Sequence, residues 1–182
     1  MQNIKTIKSI LLIICAFLIT SCSNNSAMKP EDFKNKEPRL IIEEYLSGNV
    51  KAWGVLQNRS GKVTRQFTAD LNGTWDGKQL VLKEKFNWDD GEVQDREWTI
   101  NKIDEHNYEG TAGDVVGKAK GYSYGPAFKF EYVLLVPVKG RELKITFDDW
   151  IFKQDDRVAI NRATMTKFGF KVAELTVVFV KD

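Results

Sequence analysis

The stretch KEKFNWDDGEVQDREW, Lys83 to Trp98, places two tryptophans and six carboxylates within sixteen residues. Acids at that density suit three things: a general acid–base pair, a metal site, or a solvated hairpin. Side-chain alternation sorts them. Leu80, Leu82, Glu84, Phe86 and Trp88 share one face of an extended chain, and Val81, Lys83, Lys85 and Asn87 the other. Beyond the turn, Gln94, Arg96, Trp98 and Ile100 share a face, opposite Asp95, Glu97 and Thr99. A three-residue loop Asp89-Asp90-Gly91, with Gly91 in the left-handed position, pairs Trp88 with Glu92 and therefore Glu84 with Arg96. One inward Glu thus meets one inward Arg among aromatics. Asp89, Asp90, Glu92, Asp95 and Glu97 fall in the turn or outside, where water solvates them and no metal geometry converges.

A second such pair is expected in the C-terminal half. Leu143, Ile145, Phe147, Asp149 and Ile151 share a face, as do Val158, Ile160, Arg162 and Thr164. A two-residue loop at Asp155-Asp156 would set Asp149 opposite Arg162; the other face, with Trp150, Phe152 and Met165, is also apolar. The candidate site is therefore Glu84, Arg96, Asp149 and Arg162 with Phe86, Trp88 and Trp98. Three roles suit the charges: neutralisation inside a barrel, guanidinium groups gripping a carboxylate or phosphate, or a carboxylate in acid–base chemistry. The only histidine, His106, lies in the turn DEHN and reads as a solvated surface residue, which removes Ser-His-Asp, Cys-His and most zinc arrangements. GDVVGKAKG is no phosphate loop, since it sits between strands. Its Gly113, Gly117, Ala119 and Gly121 fall on one strand face, for close packing or as a bare wall beside a ligand.

The elements that carry these residues are strands. Alternating runs broken by Gly, Asn and Asp every ten to fourteen residues predict Ala52–Gln57, Thr64–Trp75, Gln79–Trp88, Gln94–Lys102, Asn107–Ala112, Val115–Tyr124, Ala127–Pro137, Leu143–Lys153, Val158–Lys167 and Lys171–Val180. One short helix is expected in PRLIIEEYLSG, between Pro38 and Gly48. Ten sequential strands with short links pair as neighbours, and closure removes the edges. The expected fold is all-β: an antiparallel up-and-down, lipocalin-like barrel, closed or half-open, with a two-sheet sandwich as the alternative.

The N-terminus speaks to compartment. Lys5 and Lys8 precede an apolar run, Ile10 to Ile19, too short to span a bilayer, and ITSC follows. This resembles a bacterial lipoprotein signal, in which the Cys is acylated and becomes the mature N-terminus. The resemblance implies a signal peptide over residues 1–21, acylation at Cys22, a flexible tether over 22–36 and one domain over 37–182. Several acyl chains would anchor the chain stably to a membrane. Ser23 after the Cys implies the outer membrane, with the domain in the periplasm. Residues 1–21 carry two lysines and no acid, so the remainder balances at 25 basic and 25 acidic residues and lacks the basic excess of a nucleic-acid protein. Cys15 is the only other cysteine, so the mature domain has neither thiol nor disulfide.

GTWDGKQLVLKEKFNWDDGEVQDREW, GTAGDVVGKAKG, VLLVPVKG, FDDWIF and NRATMTKFGF together resemble a family of proteobacterial lipoproteins, domain of unknown function 3833, from about Trp53 to Phe179. The family's pattern falls on Trp75, Glu84, Phe86, Asp90, Gly91, Arg96, Trp98, Asp114, Gly117, Gly121, Asp148, Asp149, Trp150, Asn161, Arg162, Phe168 and Gly169. Pro126 and Ala173 depart from it. The resemblance implies no activity and no cofactor. Two functions stay open: a carrier lipoprotein for a lipid or fatty-acid-like ligand, or a structural module of the envelope with a filled core and unknown protein partners. An enzyme is a distant third.

Overall fold

The computed structural model describes residues 27–138 and 140–182. The expected signal peptide and Cys22 lie outside the described residues. Ten strands run antiparallel in chain order and close on themselves. They are β1 (Gly48–Asn58), β2 (Val63–Trp75), β3 (Gln79–Trp88), β4 (Val93–Lys102), β5 (Asn107–Thr111), β6 (Ala119–Tyr124), β7 (Ala127–Val138), β8 (Arg141–Lys153), β9 (Val158–Lys167) and β10 (Phe170–Lys181). Pairing of β1 with β10, from Val50–Lys181 to Asn58–Ala173, completes the barrel. Closure leaves no free edge, which settles barrel over sandwich.

One end is plugged. Helix α1 (Ile42–Tyr45) is a single turn, and Leu40, Ile42, Tyr45 and Leu46 around it are buried. The Tyr45 hydroxyl donates to the Arg157 and Phe179 carbonyls at 2.9 and 3.3 Å. Glu43, also buried, accepts from Lys102 Nζ at 2.5 Å and from the Tyr108 hydroxyl at 2.9 Å. Gly73 makes room for this plug, since a Cβ there would run into the Leu46 carbonyl. His106 belongs to the same end and is not simply solvated: its ring stacks on Tyr124 at 4.1 Å and its Nδ1 lies 2.9 Å from the Ser123 carbonyl.

Residues 27–36, expected to be part of a flexible tether, pack on the outer wall. A 3-10 turn, Pro30–Phe33, sets the Phe33 ring 6.0 Å from Trp150 and 5.4 Å from Phe152. Two outward aromatics thereby find cover on the barrel's outside. The barrel, the plug and the strap all lie within residues 27–182, and so do the buried side chains of the described residues.

β6 begins at Ala119 and not at Val115. Residues 112–118 form a loop in which Gly117 takes a φ of 76° and Val115 makes a single bridge to Leu134. β5 pairs with β4 only from Thr99 to Lys102, and β6 with β7 only from Lys120 to Tyr124. The mouth half of the wall between β4 and β7 is therefore closed by this loop. The Val116 amide donates to the Val133 carbonyl at 2.8 Å and the Leu135 amide to the Asp114 carbonyl at 2.9 Å. Gly113 and Gly117 belong to the loop, so the glycine-lined strand face shrinks to Ala119 and Gly121. It is not bare: Phe128 packs onto Gly121 and Phe130 onto Gly110. Close packing is what these glycines serve.

Candidate functional site

The plug closes the end formed by the β2–β3, β4–β5, β6–β7 and β8–β9 turns. The other end is open, and behind it lies a cavity of ≈ 290 Å³ inside the barrel. Volumes near 300 Å³ are the low end for small-molecule pockets. Alternation builds it: each strand sends every second side chain inward. The floor is apolar, with Ile42, Leu82, Trp98, Phe128 and Phe130. At the mouth, the Phe67 ring stands 5.2 Å from Phe86 and 4.9 Å from Trp88.

Polar side chains interrupt this lining at mid-height. The β3–β4 register places Glu84 opposite Arg96, Leu82 opposite Trp98 and Phe86 opposite Gln94, as the three-residue loop requires. The closest ion pair of Arg96 is nevertheless with Asp114. Its Nη2 and Nε reach one carboxylate oxygen of Asp114 at 2.8 and 3.1 Å. Loop 112–118 delivers that residue from the gap between β4 and β7. Glu84 stays within electrostatic reach. Burial pushes its carboxyl up to about 7; Arg96 beside it works against this, and Asp149 and Asp114 add to it. Burial alone would lower the Arg96 guanidinium, but Glu84 and Asp114 outweigh that and hold it above its ordinary value.

Asp149 is inward, as expected, but its partner is not Arg162. The β8–β9 loop has three residues, Asp155 to Arg157, closed by the Gln154 amide on the Val158 carbonyl at 2.8 Å. That extra residue shifts the register by one, to Asp149–Ala163 and Trp150–Arg162. A shift of one turns every side chain to the other face. Arg162 therefore lies outside, with a side chain 68% exposed and 3.8 Å from Glu174. Asn161 takes the inward place and donates to Asp149 and, at 3.1 Å, to the Trp150 carbonyl. The Tyr132 hydroxyl donates to the other Asp149 oxygen at 2.9 Å. Burial raises Asp149 to about 6, against the pull of these two donors.

Sequence reasoning missed Arg65 and the role of Asp114. Arg65 lines the mouth with its guanidinium 4.0 Å from the Trp88 ring, and its Nη2 grips Asp90 and Glu92 at 2.7 and 2.8 Å. The turn acids of the opening stretch are thus partly tied down by this arginine. A signal existed, since Arg65 shares an inward face with Phe67, Ala69 and Leu71 in RQFTADL. Three buried polar atoms of the lining find no hydrogen-bond partner among the described residues: Arg65 Nε, Trp88 Nε1 and one oxygen of Asp114. Such atoms are rare inside proteins and costly unless something meets them.

A family model described as protein of unknown function (DUF3833) matches residues 16–181. No curated protein matches the chain in sequence. Among solved structures, an S-type phycobiliprotein lyase, CPES, from Guillardia theta superposes with a TM-score of 0.57 at 11% identity, over 77% of this chain and 90% of that one. A protein of unknown function of the DUF3598 family from Nostoc punctiforme PCC 73102 superposes with a TM-score of 0.60 at 14% identity. That match covers 81% of this chain and 51% of the other, so the chain spans about half of its length. At these identities the likeness concerns the lipocalin-like fold.

Proposed function

From the premise that the chain belongs to the DUF3833 family of proteins of unknown function, we propose that the barrel is a binding or carrier module for a small amphiphile, held at a membrane by acylated Cys22. The observation that carries the reading is the lining itself: an apolar, open-ended cavity in which two buried donors and one acceptor go unpartnered. A barrel of this fold in Guillardia theta is a phycobiliprotein lyase, so the architecture is compatible with small-molecule chemistry or transport. The outer membrane and the periplasmic side remain the proposed location, on the strength of the ITSC motif and Ser23.

The charge balance selects among amphiphiles. A fatty-acid carboxylate would need a guanidinium to spare. Arg162 points away, Arg96 is taken by Asp114 with Glu84 alongside, and Arg65 is held by Asp90 and Glu92. A carboxylate placed here would face more acids than free cations. A neutral head with hydroxyl and carbonyl groups fits better, since it brings no further charge beside these acids. An acyl chain then lies on Phe86, Trp98 and the floor, each buried methylene contributing about 0.8 kcal/mol.

Because Trp88 and Trp98 line the cavity, their fluorescence reports occupancy. Titrating the delipidated domain with monoacylglycerols should give a saturable shift, with the matching free fatty acids binding at least tenfold more weakly at pH 8. Equal or tighter binding of the carboxylates would reverse the head-group assignment. No saturable response to either, with no lipid co-purifying, would remove the carrier reading and leave the envelope-module alternative.

A further inference from the structure

We infer that the open end of the barrel docks on an anionic lipid surface, with the β9–β10 hairpin tip entering the headgroup layer. The inference rests on the carrier reading for its purpose but on separate residues for its geometry. The tip is Phe168-Gly169, joining Lys167 to Phe170. Phe168 is 88% exposed and Phe170 77%, the highest values among the large apolar side chains described. Phe168 also has a φ of 52°, and Gly169 of 80°, in a two-residue turn. Asn-Gly forms such turns with less strain, whereas a bulky aromatic there is uncommon. The Lys167 ammonium lies 4.8 Å from the centre of the Phe168 ring, but the outer surface of that ring stays open to solvent.

The rest of the rim agrees. Val138, Val63, Val93 and Val116 are exposed on the other turns of the same end, and Val172 beside the tip. Among the described residues, seven of the eleven exposed large apolar side chains thus ring the mouth. Exposed apolar side chains gathered at one end of a molecule suit an interaction site. Charge identifies the occupant. The β9–β10 turn and its two neighbours around the rim carry Arg59, Lys62, Arg141, Lys167 and Lys171 against Glu142 and Glu174. Basic residues around an aromatic tip suit anionic headgroups over acyl chains. The β3–β4 turn, on the far side of the β1–β2 turn, is acidic with Asp89, Asp90 and Glu92, and Arg65 pairs with the last two. The side wall is not the lipid contact, since Lys51, Asp70, Lys83, Lys85 and Asp95 face outward along it.

The N-terminal strap has the same polarity. From Phe33, beside Trp150 and Phe152, the chain runs to Met28 and Ala27, which share an outer groove with Asp148, Thr164 and Glu174. Thr164 stands four residues from Phe168, about 13 Å along a strand. Five residues join Ala27 to Cys22, at most roughly 17 Å of chain. A lipid-bearing Cys22 therefore reaches the level of the hairpin tip, and the mouth can face the bilayer that holds the anchor.

The test uses residues 27–182, which contain no cysteine and every buried core residue described. An environment-sensitive dye on Phe168→Cys should shift to the blue, and be quenched by spin-labelled acyl chains, on vesicles of phosphatidylglycerol and phosphatidylethanolamine. The same dye on Asp156→Cys, at the plugged end, should not respond. Separately, the unlabelled double variant Phe168→Ser/Phe170→Ser should lose at least fivefold in co-sedimentation with those vesicles while its monoacylglycerol titration stays unchanged. Equal quenching at both ends, or sedimentation of the double variant like the parent, would overturn the inference. So would a parent that leaves vesicles unbound but dimerises through the tip, which would make a second copy the occupant. Vesicle binding by a domain that gives no saturable titration and holds no co-purifying lipid would spare this inference and sink the carrier reading.

Discussion

Glu84 is a carboxyl that burial holds near neutrality, and this has a consequence for stability. Its value in the folded chain, about 7, exceeds the 4.5 of an ordinary Glu. Between those limits the folded chain binds more protons than the unfolded one, so stability is full below pH 4.5 and is lost as pH rises through 7. Asp149, raised to about 6, adds a loss in the window from 3.8 upward. The whole loss from Glu84 is at most roughly 3 kcal/mol, reduced by any water in the cavity. Glu84→Gln should flatten the curve between pH 5 and 7 in urea titrations and stabilise the domain at pH 8. An unchanged curve would mean that Glu84 is solvated. Arg96 supplies a second measurement. In double-mutant cycles the coupling of Arg96→Met with Asp114→Asn should exceed that with Glu84→Gln, because only Asp114 touches the guanidinium at 2.8 Å. The inward meeting of Glu84 and Arg96 was legible, since alternation and Gly91 fix that register. The ion partner was not, because nothing in a period-two pattern tells which loop residue folds back into a gap in the wall.

At the scale of elements, strand order and nearly all strand bounds follow from alternation and turn residues, whereas two connections do not. QDDR permits a two- or three-residue loop, and both faces of β8 are apolar because Phe33 covers Trp150 and Phe152 from outside. The pattern therefore could not veto the wrong register that brought Arg162 inside. Arg162→Met should accordingly change stability by no more than about 0.5 kcal/mol, as for surface substitutions, and leave ligand titrations alone. Arg96→Met should alter both. A stability loss at Arg162 comparable to that at Arg96 would restore the inward assignment. The short helix in PRLIIEEYLSG was legible from Pro38 and Gly48, and it forms at Ile42–Tyr45; its place as a plug was not, since only the run of Leu40, Ile42 and Leu46 hints at burial. Loop 112–118 closes the wall with hydrogen bonds to β7 and one ion pair to Arg96. Asp114→Asn weakens that latch, and the amides of Val116 and Leu135 should then exchange with deuterium at least tenfold faster, while those of β8 and β9 keep their protection. Unchanged exchange would show that the backbone bonds hold the loop unaided.

For the whole molecule, the two ends have opposite chemistry. One is sealed by Tyr45, Glu43 and their hydrogen bonds, and the other opens an apolar interior through an apolar and partly basic rim. A cavity that exchanges through water and one that exchanges against lipid make different kinetic demands. A long-chain amphiphile leaving into water exposes its chain at about 0.8 kcal/mol per methylene, a barrier that grows with every carbon. Contact with a bilayer removes that barrier, because the chain passes from one apolar medium to another. Transfer of a fluorescent monoacylglycerol from the domain to acceptor vesicles should therefore speed up in proportion to vesicle concentration, run faster with phosphatidylglycerol than with phosphatidylcholine, and slow as salt screens the rim. The Phe168→Ser/Phe170→Ser variant should keep its affinity for the ligand and lose most of the vesicle-dependent rate. A transfer rate independent of vesicle concentration would mean release through water, and the orientation of the mouth would then have no part in loading or unloading.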